Sequence, residues 1–291
     1  MNRIVVVLAL FILSVGLACE EEFQPVLEDA DFAFSIYGYL DASADTQWVR
    51  VMPISMVLNE IHEEIDAVVT LQDLETGEMV IMNDSLFQPS EERTYWNFWT
   101  TMDLKPEGSY RFVATRSDGE ESSATVTLPG EFPVPILRIP DGINNNPYVK
   151  LENVTENILI VHAGSDWLIR NEDRNSLRVH SFSYLEGVYQ NSATSYRFQL
   201  DVENEVGVIS SFYDGINSTV LERQLFVAIG GPDWIDFTEY SDDEIAIPEA
   251  LSNIENGIGY LGGIFSRVVP YMQCEDEFGE EMACDTVPTV R

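Results

Sequence analysis

Residues 104–128, LKPEGSYRFVATRSDGEESSATVTL, decide the fold. Tyr110–Thr115 and Ala124–Leu128 are rich in β-branched and aromatic residues, which suit a pleated, half-buried surface. Between them lies Ser117-Asp118-Gly119-Glu120. An Asp-Gly step between two such runs is a strong hairpin signal, because the glycine accepts the positive φ of a tight turn. Upstream, Pro106 and Gly108 turn the chain and Tyr110 opens the next strand. A tyrosine at that place matches the corner that closes many extracellular β-sandwiches.

Working outward, the same pattern repeats. Phe32–Leu40 alternates apolar and polar positions, Asp41–Asp45 is a turn, and Trp48–Val51 alternates again. Ala67–Asp73 is a β-branched run closed by Glu75-Thr76-Gly77, and Met79–Met82 returns. Ser55–Ile65 reads as a helical turn or a long loop. About seven short strands without a long helical period predict an immunoglobulin-like β-sandwich over residues 32–130. Pro129, Pro133, Pro135 and Pro140 then stiffen the chain and mark a boundary. Beyond it, strand patterns at Asn157–His162, Ser176–Tyr184, Tyr196–Val202 and Gln224–Ile229 predict a second β-rich domain over 131–291. Glu249–Asn256, with Gly257 as its stop signal, reads as a short helix near the C-terminus. The expected class is all-β.

The N-terminus reads as an address. Arg3, the apolar run Ile4–Val15 and the small residues Gly16-Leu17-Ala18 spell an export signal over residues 1–18, and Cys19 follows at once. Lipidation of Cys19 would anchor the protein to a membrane; Gly-Leu-Ala also suits a peptidase that releases a soluble product. The apolar run is shorter than the ~20 residues of a spanning helix. Residues 19–31, acidic and containing Pro25, read as a tether.

The fifty acidic residues against fifteen basic ones give a net charge of −35. Like-charge repulsion makes nucleic acid or an anionic bilayer a poor partner. The acidity reads either as a field for cations or as adaptation to a saline habitat, and its even spread along the chain favours the second. Near the C-terminus, Cys274 and Cys284 enclose EDEFGEEMA. In an exported protein a disulfide is the default, contributing about 2–3 kcal/mol for so short a loop. The enclosed carboxylates make a metal site the alternative, although no histidine accompanies them.

A search for chemistry returns little. His62, His162 and His180 stand apart, and His62 is flanked by Glu60, Glu63 and Glu64. There is no G-x-S-x-G elbow, P-loop or dinucleotide fingerprint. Asp41-x-Ser43-x-Asp45 resembles the start of a calcium loop, but the glycine and distal glutamate are missing from register. Asp233–Glu244 is a denser acidic stretch carrying Trp234, Phe237 and Tyr240. The sequence points to no catalytic residue, no metal and no cofactor. Its densest aromatic cluster is Tyr95-Trp96-Asn97-Phe98-Trp99. Alternation places Tyr95, Asn97 and Trp99 on one face and Trp96 and Phe98 on the other. Tyr95, Trp96 and Trp99 are the candidate ligand contacts, with core packing as the competing reading.

The cysteine-terminated leader, the "YGYL" strand at 37–40, the "PEGSYRF" corner at 106–112 and Leu251–Gly263 (LSNIENGIGYLGG) together resemble an uncharacterised Bacteroidota-type outer-membrane lipoprotein family. That family is a domain of unknown function often encoded beside TonB-dependent transporters. Glu20-Glu21-Glu22 also resembles the signal that sends such lipoproteins to the cell surface. The resemblance implies an architecture and a cell-surface setting, and no established activity. With the acidic signal after Cys19 and the absence of a catalytic constellation, the expectation is a non-enzymatic surface lipoprotein held to the outer membrane by a fatty diacylglycerol on Cys19. The family's neighbourhood adds the expectation of an accessory binding subunit with a TonB-dependent transporter as partner. A carbohydrate-binding module or carbohydrate-active enzyme, and a structural adhesin, are the alternatives.

Overall fold

The computed structural model describes residues 32–54, 64–90, 93–138, 146–154, 158–213, 215–235, 251–270, 273–275 and 281–283. The leader, Cys19, the tether, Ser55–Glu63 with His62, most of the acidic stretch after Ile235, and Cys284 lie outside the described residues. So does the side chain of Cys274.

In chain order the first half holds β1 (Phe34–Asp41), β2 (Gln47–Pro53), β3 (Val68–Asp73), β4 (Met79–Ile81), β5 (Asn83–Ser90), β6 (Arg93–Thr100), β7 (Ser109–Thr115) and β8 (Glu121–Thr127). The second half holds β9 (Ile136–Arg138), β10 (Tyr148–Glu152), β11 (Leu159–Asn171), β12 (Ser176–Ser183), β13 (Tyr189–Ser192) and β14 (Ser195–Gln199). The helix α1 (Val202–Phe212), β15 (Ser218–Gly230), β16 (Gly257–Pro270) and the short pair β17 (Gln273–Glu275) and β18 (Glu281–Ala283) complete it.

Among the described residues one sheet runs through both halves, in the order β12-β11-β15-β16-β1-β2-β6-β5. Two four-stranded sheets, β4-β3-β7-β8 and β13-β14-β10-β9, accompany it. One core joins Phe34, Ile36, Val49, Val51 and Phe98 of the long sheet to Val69, Leu71, Phe112, Ala124 and Val126. A second joins Ile160, Leu225, Val227 and Phe265 to Val149, Leu151 and Phe198. The strand β16 serves both, through Leu261 in the first core and Phe265 in the second. These two residues are four apart, so they point to the same side of the strand. The long sheet is therefore covered on one face by two smaller sheets, side by side: an all-β, sandwich-like architecture.

The corner forms as the sequence predicts. The Lys105 backbone N–H donates to Tyr110 Oη at 2.8 Å, and Tyr110 is buried. Burial is the largest influence on its hydroxyl and raises its pKa, so it stays protonated. Gly108 is needed because a Cβ there would stand 2.9 Å from Lys105 O and from the Tyr110 ring. The Asp-Gly hairpin joins β7 to β8, with Gly119 at φ +93°.

The helix differs from expectation. The described part of Glu249–Asn256, residues 251–256, is turn and isolated bridge, and α1 forms at Val202–Phe212 instead. Asp201 caps it by accepting from Asn204 N at 3.1 Å, and Glu203 and Glu205 lie in its first turn, where carboxylates favour the helix dipole. Glu205 is fully buried. Its carboxylate accepts from Ser165 Oγ (2.5 Å), Trp167 Nε1 (2.9 Å), Tyr184 Oη (2.5 Å) and Arg223 (2.5 Å). This ties the helix to β11 and β15. Burial and the Glu205 hydrogen bond drive the Tyr184 hydroxyl well above its usual range, so it remains a donor.

Candidate functional site on the open face of the long sheet

Residues of β1, β2, β5 and β6 that point away from the first core build one surface. In β2, Val49 and Val51 are buried while Trp48 and Arg50 are exposed; in β1, Ile36 and Leu40 are buried while Tyr37 and Tyr39 are exposed. The register sets Trp48 opposite Trp99 and Tyr39, Arg50 opposite Asn97 and Tyr37, and Phe87 opposite Tyr95. Directly opposed residues share a face of the sheet.

The rings meet. Trp48 lies 5.8 Å from Phe87, edge to face at 89°, and 5.8 Å from Trp99 at 32°. The Arg50 guanidinium sits 4.2 Å above the Tyr95 ring, a cation–π contact that fixes its direction. Tyr37, Gly38, Trp48, Arg50, Phe87 and Asn97 line a shallow open depression of about 550 Å³. Tyr37, Tyr39, Trp48 and Phe87 are each 45–49 % exposed. Burial, and secondarily Asp41, raises the pKa of the Tyr39 hydroxyl, which keeps it a neutral donor.

Of the three candidate contacts, Tyr95 and Trp99 stand on this face. Trp96 does not: it is 7 % exposed and packs in the first core, because alternation along β6 turns it inward with Phe98. Asn97 joins Tyr95 and Trp99 as alternation predicts. The residues that complete the surface, Tyr37, Trp48, Arg50 and Phe87, lie on other strands. The alternation of Tyr37, Trp48 and Arg50 was legible, the strand of Phe87 was not, and only the pairing register shows that the four converge.

The other candidates resolve differently. Asp41 is the anchor of a turn: Oδ1 accepts from Ser43 N (2.8 Å) and Ser43 Oγ (2.7 Å), and Oδ2 from Ser266 Oγ (2.6 Å). His162 stacks edge to face on Phe226 at 4.8 Å, and burial lowers its pKa. His180 shares a hydrogen bond of 3.1 Å with Tyr213 Oη. Among the described residues no three of His, Cys, Asp and Glu are grouped so as to hold a metal ion, and no helix is long and apolar enough to cross a membrane.

No protein-family model and no curated protein matches the chain. Among solved structures it is similar to pullulanase from Anoxybacillus sp. LM18-11, at 8 % identity and a TM-score of 0.22 over 67 % of this chain and 24 % of that one. It is also similar to a tetra-tandem repeat in the extending region of a large adhesion protein, at 10 % identity and a TM-score of 0.22, over 82 % of this chain and 48 % of that one. The chain thus spans less than half the length of either.

Proposed function

We propose that this chain is a non-enzymatic lipoprotein of the outer-membrane surface, anchored through Cys19, and that the aromatic face of its long sheet is a contact surface. On this reading it is an accessory binding subunit of a TonB-dependent transport complex. The observation that carries the binding role is the clustering of exposed rings around Arg50 on one sheet face. Contiguous apolar patches of this kind are uncommon on soluble monomers, and aromatic and arginine side chains dominate interface energetics. The cell-surface setting and the transporter rest on the resemblance of the leader and of Leu251–Gly263.

The test is gentle extraction of the native protein, followed by mass spectrometry of its N-terminus and of the proteins that accompany it. A diacylglycerol on Cys19 and co-purification with an outer-membrane barrel are expected. The double variant Trp48→Ala, Phe87→Ala should lose the barrel without losing its fold by circular dichroism. A bare sulfur, or a variant that retains its partner, would overturn the proposal.

A second reading is favoured by one detail. Asn97 and Arg50 place hydrogen-bonding groups beside the rings in the same depression, the combination that recognises a sugar by its apolar face and its hydroxyls. A glycan array decides it. Binding that disappears in Trp48→Ala supports a sugar ligand, and an array on which the parent protein binds nothing ends that reading.

A further inference from the structure

Basic residues are scarce in this chain, yet Arg170, Arg174 and Arg178 fall within one hairpin. The register of β11 and β12 sets Ser176, Arg178 and His180 opposite Asn171, Ile169 and Trp167, on one face of the sheet. Against them stand Phe212 and Tyr213 at the end of α1. The His180 ring lies 5.3 Å from that of Phe212 and 5.6 Å from that of Tyr213. Together with Asn171 and Arg174 these residues enclose a cavity of about 110 Å³. Its lining contains two arginines and no carboxylate, in a protein with fifty acidic residues. Neither arginine makes an ion pair with a described residue.

A bland account is that the arginines complement the negative end of the helix. That end carries about half an elementary charge, less than the charge of the two arginines that line the cavity. Chemistry then limits the occupant: two guanidinium groups with hydroxyls beside them suit a carboxylate, sulfate or phosphate group. Guanidinium forks match such groups geometrically, with two parallel N–H···O bonds.

We propose that this cavity binds a single oxyanion group, held by Arg174 and Arg178 with the hydroxyls of Ser176 and Tyr213 as further donors. Phe212, 62 % exposed at the rim, would pack against the body of the molecule that carries the group. The site is separate from the aromatic face and independent of its role. The surrounding negative field repels anions, so binding is weak.

Isothermal titration calorimetry of the full mature chain with sodium acetate, sulfate or phosphate, at one fixed ionic strength, tests the proposal. At least one anion should saturate, and which one it is separates a carboxylate from a sulfate or phosphate ester. Arg178→Ala should weaken binding by about tenfold or more, as loss of a charge-assisted pair implies. Arg178→Lys should retain part of the affinity, and Arg111→Ala, an exposed arginine outside the cavity, should match the parent. Should Arg178→Ala fail to fold, Arg174→Ala in the exposed turn is the equivalent variant. Non-saturating heats with all three anions, or equal losses in the cavity and Arg111 variants, overturn the proposal.

Discussion

The residue that most repays attention is Glu205. A carboxylate buried without partners costs several kcal/mol, so a fully buried one must be surrounded by donors. Here Ser165, Trp167, Tyr184 and Arg223 supply them, and the Arg223 guanidinium also stands 4.5 Å over the Trp167 ring. Removing one member of such a set strands the others. Glu205→Ala is expected to destabilise the fold by about 3–5 kcal/mol, because it removes the carboxylate that accepts from four side-chain donors at once. Urea denaturation measures this; a loss under about 1 kcal/mol, the range of exposed pairs, would mean the network does not hold the helix. Nothing in the sequence singles Glu205 out among so many acidic residues. Its burial depends on two strands, the segment after β12 and a helix that meet only in the folded chain.

At the scale of elements, β16 is the informative one. The segment Leu251–Gly263 is shaped by its asparagines and glycines. Asn253 pins the strand by donating to Leu261 O (2.8 Å) and accepting from Leu261 N (2.9 Å). Asn256 turns the chain with φ +51°. Gly259, at φ +114°, lies where a Cβ would come within 2.1 Å of Ile36 O, and at Gly263 a Cβ would come within 2.6 Å of Thr127 O. The glycines let β16 lie against β1 and under the smaller sheet. Gly259→Ala is expected to lower stability by about 3 kcal/mol or more, through backbone strain and a displaced β1–β16 ladder, visible as a large fall in the thermal midpoint. An unchanged midpoint would show that β16 tolerates a shift. The sequence made the hairpin of β7 and β8 legible because turn and strand signals are local. It made β1 and β2 legible by alternation and β3 by its β-branched run. It concealed α1, whose Asp201 cap and early glutamates were available signals, behind Val202, which also extends the strand pattern of Tyr196–Gln199. It concealed β16 because the glycines that its neighbours require lower its intrinsic strand propensity. On the candidate surface, Tyr95, Asn97 and Trp99 were legible from period two, whereas Trp48 and Phe87 belong to it through long-range pairing that no local pattern encodes.

At the scale of the whole molecule, the net charge of −35 sets the conditions under which the fold is content. Self-repulsion of this size opposes compactness, and added salt screens it over a Debye length that falls to about 3 Å at 1 M. The denaturation midpoint is expected to rise steadily with sodium chloride up to about 1 M; a midpoint that is flat or falls would mean that favourable charge pairs, rather than repulsion, dominate. The same long sheet that gathers the aromatic face also binds the two halves together, since β16 pairs in parallel with β1 on one side and antiparallel with β15 on the other. This arrangement has a consequence for the order of assembly. The shared strand follows both its partners in the chain, so a chain still being delivered from its N-terminus carries two raw strand edges, each hungry for backbone partners, until Gly257–Pro270 arrives. A product cut short before Gly257 would not survive as a working fragment; its open edges would recruit one another, and the molecule's economy of sharing one strand between two cores becomes its point of greatest vulnerability.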